Sequence, residues 1–259
     1  MSYAEYPPSE PLKPFVDAYW LRLSTGRPGT RRVYADGCAD LMVNLGASMA
    51  YFAPKANTDK AIALQPGRLF LGGTMTEYGL LQTAPDTVLT GIRFKPGGLY
   101  TLYRVYMETA VDGLVEFSDP VLRPLMELIP DRNTRLDAYL EGRIRKTRYD
   151  FPGIYDMLCG EPQPVADLAC RCHVSPRTLE RIFKRNVGIA PKQYIRIARF
   201  QEVLRHLKSA GEESLLRMAY DLGYHDHAHL TNEFKRYAGI LPSELSRFYK
   251  TGISRGQYF

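Results

Sequence analysis

Two stretches of this chain repeat each other. Residues 165–194, VADLACRCHVSPRTLERIFKRNVGIAPKQY, match residues 215–245, LLRMAYDLGYHDHAHLTNEFKRYAGILPSEL. Each reads as a helix, a short turn, a second helix containing Leu-x-x-x-Phe-Lys-Arg, and then Gly-Ile-x-Pro. Ala169 pairs with Ala219, Leu179 with Leu230, Phe183 with Phe234, Lys184 with Lys235, Gly188 with Gly239 and Pro191 with Pro242. The shared apolar positions fall at the steps that place side chains on one helix face, so they face a core and the polar positions between them face out. Ser175 and Pro176 read as the N-cap and first residue of a helix, and Gly188 as its C-cap. In front of that helix, PVADLACRC carries an apolar face of Val165, Leu168, Ala169 and Cys172. One long helix from Pro191 to Gly211 joins the two units, and LPSELSRFYK adds a last short one.

A short turn sets two helices at a steep angle, so the second can enter a major groove while the first lies against the backbone. Outward residues of its first two turns then meet base edges, and Lys and Arg near its end meet phosphate. Two such units on one stiff helix can reach successive major-groove faces, roughly 34 Å apart. The charge agrees. Residues 1–159 hold 18 Lys and Arg against 18 Asp and Glu, whereas residues 160–259 hold 16 against 10. A basic domain beside a neutral one suits a polyanion partner, although a solubility bias gives the same count.

Residues 165–248 resemble the DNA-binding domain of the AraC family of bacterial transcription regulators. SPRTLERIFKRNVGIAPKQYIRIAR and MAYDLGYHDHAHLTNEFKRYAGILPSEL both run without gaps against the family pattern. Cys170, Cys172 and His173 replace residues that are usually different, and His225 and His227 stand where small, polar or acidic residues are commoner. These departures bear on base preference rather than on the fold. The resemblance implies a sequence-specific regulator, with double-stranded DNA and RNA polymerase as partners, a cytoplasmic location, no cofactor and no enzymatic activity. By position it assigns base reading to Arg177, Thr178, Glu180 and Arg181 in the first unit, and to His227, Ala228, His229, Thr231 and Asn232 in the second. Lys184, Lys235 and Arg236 fall beside phosphate. A solvated helix face is the plainer alternative for each, and Glu180 can instead pair with Lys184 four residues on.

The segment GYHDHAHL holds three of the five histidines. Spacing of i, i+2, i+4 does not put all three on one helix face, and no Cys, Asp or Glu completes a set with His225 and His229, so a zinc site is disfavoured. Cys172 on an apolar face reads as core.

Ahead of the repeat the pattern differs. FVDAYWLRL, RRVYADG, DLMVNLG, RLFLGG, YGLLQT and TVLTGIRF are short, rich in strand formers and punctuated by Gly, Pro, Asp and Asn. They predict a cupin-like β-barrel or sandwich. VLRPLMELI and RLDAYLEGRIRKTR predict helices, and the prolines of EPQP mark a linker near 160–164. The expected order is a β-rich sensor or dimerisation domain at 1–112, a helical extension at 113–159 and an all-α DNA-binding domain at 160–259. Leu122, Leu125, Leu128 and Ile129 form an apolar stripe that serves either the core or a homodimer contact. GIRFKPGG and YADGCADLMVNLG are similar to a poorly characterised N-terminal domain of some AraC-like regulators, a likeness that names no ligand.

Residues 1–159 contain no histidine, which disfavours the metal site of a cupin enzyme. Trp20, Tyr34, Tyr78 and Arg93 are the candidates for a small-molecule effector pocket, against the commoner uses of strand aromatics as core and of a strand arginine in an ion pair. Cys38 as a reactive thiol or methyl acceptor defines the weaker enzymatic alternative, with a buried structural thiol preferred. A ligand-independent dimeric DNA binder is a further alternative. No apolar run reaches the roughly 18–20 residues of a membrane span, and MSYAEYPPSEPLKPF lacks the pattern of a signal peptide.

Overall fold

Period-two alternation along the strands decides the architecture of the first half. The computed structural model describes residues 2–24, 26, 28–129, 133–146, 149, 151–160, 164–209 and 215–251. Strands β1 (Ser2–Tyr6), β2 (Val16–Leu23), β4 (Ala39–Asn44), β7 (Leu69–Gly72), β9 (Val88–Phe94) and β10 (Leu114–Glu116) form one antiparallel sheet in the order β1-β2-β9-β4-β7-β10. Strands β3 (Gly29–Val33), β5 (Ala50–Ala53), β6 (Ile62–Leu64) and β8 (Gly79–Thr83) form the second, in the order β3-β8-β5-β6. On one face of the larger sheet, Trp20, Phe70 and Leu89 meet Phe52, Leu64 and Leu81 of the smaller. The neighbouring residues Tyr19, Leu41, Leu71, Ile92 and Phe94 point the other way. The sheets face each other without closing, so the sandwich is the form present.

Three short helices cover the outer face of the larger sheet: α1 (Gly98–Tyr103), α2 (Leu122–Met126) and α3 (Thr134–Glu141). Leu99, Leu102, Leu122, Met126, Ile129, Leu136 and Leu140 are buried there. Leu122 and Ile129 of the expected stripe are thus spent on the core, with Leu125 packed beside them and Leu128 36% exposed. The β unit also runs past residue 112, because β10 pairs with β7. The helix predicted to run on through RIRKTR stops at Glu141, next to Gly142.

The second half is helical: α4 (Phe151–Gly160), α5 (Val165–Arg171), α6 (Pro176–Val187), α7 (Pro191–Ser209), α8 (Leu215–Asp221), α9 (His227–Ala238) and α10 (Pro242–Thr251). Residues 161–163 of the expected linker and Gly211, the expected stop of α7, lie outside the described residues. One core runs through these helices, centred on Phe183, Phe200, Phe234 and Tyr237, and it takes in Tyr34 and Ala35 from the β domain. Tyr34 meets Phe200 edge-on at 6.3 Å between ring centroids. Gln201 Nε2 donates to the Ala35 carbonyl at 2.6 Å, and Thr74 Oγ1 donates to the Val187 carbonyl at 2.7 Å.

Gly91 tests how tightly the sandwich is packed. A Cβ there would lie 2.3 Å from the indole of Trp20, the chain's single tryptophan. Gly91→Ala is expected to destabilise the fold by about 1–3 kcal/mol, as overpacking does. Chemical denaturation followed by Trp20 emission checks this, and an unchanged midpoint would show that the interlayer is slack.

Candidate nucleic-acid interface

The two turns use the same hydrogen bonds with different residues. In the first unit, His173 N donates to Cys170 O at 2.9 Å and Val174 N to Ala169 O at 3.0 Å. In the second, Gly223 N donates to Tyr220 O at 3.0 Å and Tyr224 N to Ala219 O at 2.8 Å. Both turns require a left-handed residue, which is Gly223 at φ 68° in one and His173 at φ 52° in the other. The second unit then has one more residue before its cap, Asp226, than the first has before Ser175.

Each second helix is capped at both ends. Ser175 Oγ accepts from Thr178 N at 3.2 Å, and Pro176 opens α6. Asp226 Oδ1 accepts from His229 N at 2.7 Å to start α9. That backbone bond, helped by His225, holds the Asp226 carboxyl below its usual range. The folded-state value is the lower one, so this cap is in place at neutral pH and is lost only as the pH falls through the lowered titration. Both helices end on left-handed glycines, Gly188 at φ 90° and Gly239 at φ 70°.

Burial sorts the candidate residues. Leu179, Ile182, Phe183 and Val187 of α6 are buried, as are Leu230, Phe234 and Tyr237 of α9. Arg177, Glu180, Arg181 and Lys184 are exposed and Thr178 is half-buried. Glu180 meets Lys184 at 3.2 Å, the local pairing that competes with a reading role. On α9, His227, Ala228, Asn232, Lys235 and Arg236 are exposed, whereas His229 and Thr231 are half-buried. His229 packs edge-on to Tyr224 at 5.4 Å, its Nδ1 accepts from His225 N at 3.3 Å and its Nε2 lies 3.7 Å from Glu233. It is turned toward its own unit. No group of three metal-ligating side chains occurs among the described residues.

Sequence reasoning passed over two residues. Asp226 is the second N-cap, visible in principle as an Asp ahead of an apolar-periodic run. Arg185 is the repeat partner of Arg236; it is exposed on α6, with its guanidinium 5.2 Å from the centre of the Tyr106 ring. Arg236 itself lies 3.4 Å from Glu77 of the β domain. The 19 residues of α7 span about 28 Å at the helical rise, close to one turn of B-DNA.

The effector candidates divide. Trp20, Tyr34 and Arg93 line a cavity of about 780 Å³ between the sheets, mouth included, with Met42, Phe52 and Leu81 among its apolar walls. Tyr78 stands apart from it, against the C-cap of α9, where a Cβ on Gly239 would lie 2.5 Å from its ring. Arg93 is held by Glu5 at 3.4 Å and by Asp36 and Asp40 at 3.7 Å each. Trp20 Nε1 donates to Asp40 Oδ1 at 2.7 Å. Burial lifts the Asp40 carboxyl to about 6 against the pull of Arg93. Burial, with Asp36 beside it, also pushes the Cys38 thiol well above its usual value, which keeps it protonated and a poor nucleophile.

Ser175→Ala is expected to cost about 1 kcal/mol, the usual worth of a serine N-cap. Denaturant titration measures the loss, and hydrogen exchange should localise it to the first turn of α6. Unchanged exchange at Thr178 would contradict the cap.

Two family models match the chain. One, described as a helix-turn-helix domain, covers residues 168–247, and one described as a domain of unknown function (DUF6597) covers residues 4–116. The transcriptional activator RhaS of Escherichia fergusonii is 32% identical over 78 residues, which is 30% of this chain and 28% of that protein. A putative AraC-like transcription regulator of Streptomyces lividans is 36% identical over 83 residues, 32% of this chain and 27% of its own length. The chain thus spans less than a third of these curated relatives. ToxT of Vibrio cholerae, in a crystal structure with an unsaturated fatty acid bound, superimposes with a TM-score of 0.53 over 92% of this chain and 97% of ToxT, at 14% identity, a likeness of fold. The capped double helix-turn-helix unit is thus similar in sequence, over residues 168–247, to the helix-turn-helix domain of AraC-like regulators.

Proposed function

We propose that this chain is a sequence-specific DNA-binding transcription regulator in which α6 and α9 enter successive major-groove faces. The observation that carries the reading is the pairing of two turn-matched helices, each capped at both ends, buried on one side and basic on the other, at the two ends of one 19-residue helix. Arg177 and Arg181 suit base edges, and Lys184, Lys235 and Arg236 suit phosphate. RNA polymerase is the partner that such a regulator acts on. Two units in one chain allow a two-element site to be read without a homodimer.

The cavity between the sheets is the proposed effector site. Its wall is mainly apolar, and the guanidiniums of Arg22 and Arg93 are matched in it by the carboxylates of Asp36 and Asp40, so the ligand class that fits is a mainly apolar molecule without a strong charge. The fatty acid bound to ToxT supports looking for an apolar chain in this fold. An effector acts only by favouring one arrangement of the two domains, and the cavity shares Tyr34 with the core of the helical domain.

Two substitutions separate reading from anchoring. Arg181→Ala is expected to weaken specific binding by about 1–3 kcal/mol with the fold intact. Lys235→Ala is expected to weaken binding to all duplexes alike and to lower the slope of log affinity against log salt by about one. Anisotropy titrations on the full chain measure both, and full retention of affinity and preference by the Arg181 variant would mean that α6 does not read bases. For the effector, a long-chain alcohol and the corresponding fatty acid titrated into the full chain should differ. The neutral probe is expected to raise Tm and change Trp20 emission, and silence from both would retire the cavity as a binding site.

A further inference from the structure

Two clefts flank the outer side of α6, and their charges differ. One lies against Tyr106 and Glu108 of the β domain, and its wall includes Arg177, Arg181, Lys184 and Arg185 with the carboxylates of Glu108 and Glu180, so it shares two arginines with the second cleft. Its cations are therefore partly answered. The other, of about 750 Å³ with its mouth, lies between α1 and α6 and is walled by Tyr100, Arg104, Tyr149, Arg181 and Arg185. It gathers three guanidiniums, and no carboxylate lines it among the described residues. Nor do Arg104, Arg181 or Arg185 form an ion pair among the described residues.

The arginines from the two domains are held in place by neutral contacts. Arg104 stands in the left-handed region at φ 58° as the C-cap of α1. Its guanidinium donates to the Lys146 carbonyl at 2.9 Å and sits 5.4 Å from the centre of the Tyr100 ring. Arg185 sits over Tyr106, and the Tyr100 and Tyr106 rings are 6.0 Å apart. Aromatic faces orient guanidiniums without neutralising them. Three like charges in one cleft repel until an anion enters, and guanidinium forks suit the tetrahedral oxyanion of phosphate.

We infer that the α1–α6 cleft binds a phosphate group between Arg104 of the β domain and Arg185 of α6, while Arg181, which also lines the cleft, is the residue that turns to base edges when α6 lies in the groove. The inference rests on the DNA-binding reading only for the source of the phosphate. In a duplex engaged by α6, it is a backbone phosphate at the edge of the groove, and the β domain then contributes to the DNA footprint. Otherwise it belongs to a small phosphorylated molecule that competes with DNA for Arg185.

The test uses the full chain, its Arg104→Ala variant and its Arg104→Gly variant, the last because glycine accepts the left-handed backbone without strain. In one arm, affinity for a mixed-sequence duplex is measured across salt. The variants should bind several-fold more weakly at low salt, with the slope against log salt lower by about one. In the other arm, pyrophosphate is titrated without DNA and Tm is followed. A rise in the wild type that both variants lose, with displacement of bound duplex, identifies a free phosphorylated ligand. A slope change without that rise identifies the DNA backbone. Unaltered slopes together with equal pyrophosphate responses in all three proteins would overturn the site. A wild type that binds no duplex would defeat the DNA-binding reading, while the pyrophosphate arm still decides the cleft.

Discussion

The arrangement of this molecule turns on two glycines. Gly188 and Gly239 end α6 and α9 in the left-handed conformation, and each end is also a seat for the β domain. A Cβ on Gly188 would lie 2.5 Å from the Val111 side chain and 2.7 Å from the Met107 carbonyl; on Gly239 it would lie 2.5 Å from the Tyr78 ring. Glycine is thus required twice at each position, once by backbone geometry and once by close approach. The helix ends that orient the proposed reading faces are the points at which the rest of the chain presses on them.

Around these seats the domains share a core rather than a thin contact. Tyr34 and Ala35 enter the helical cluster, Gln201 and Thr74 hydrogen-bond across, and Arg236 meets Glu77. Tyr34 also lines the cavity between the sheets. A ligand filling that cavity therefore touches a side chain packed on Phe200, the ring that itself packs on Phe234 of α9 at 5.1 Å. Packed interiors transmit such displacements because they have little free volume. This gives the proposed effector a route to α9 without any hinge, and it places Glu77 in competition with phosphate for Arg236.

How much of this was legible in the sequence depended on the range of the interaction. Caps and turns obey local rules, so Ser175, Pro176, Gly188 and Gly239 could be read directly. The repeat supplied the core positions Leu179, Phe183, Leu230 and Phe234, because helical periodicity is local too. Strands β2, β3, β4, β7, β8 and β9 showed as short runs of strand formers bounded by Gly, Pro, Asp and Asn. The strands β5 and β6, AYFA and IAL, lack such a signal and exist through their pairing partners. The three carboxylates on Arg93 come from β1, the β3–β4 connection and β4, a convergence that only the sheet order creates. Tyr78 read as a pocket residue because an aromatic near a strand looks alike in either place, and its position on Gly239 is a contact across about 160 residues of sequence. Arg104 gave no signal, since a left-handed arginine is written no differently from a helical one.

The central claim is that two units read one site together. Selection of bound duplexes from a random pool by the full chain tests it most directly, and the shared core argues for keeping the chain whole. Enriched sequences with two conserved elements centred about one helical turn, or roughly 10 base pairs, apart are expected. A single short element, or two elements whose spacing varies freely, would contradict a pair of recognition helices fixed by α7 and by their glycine seats.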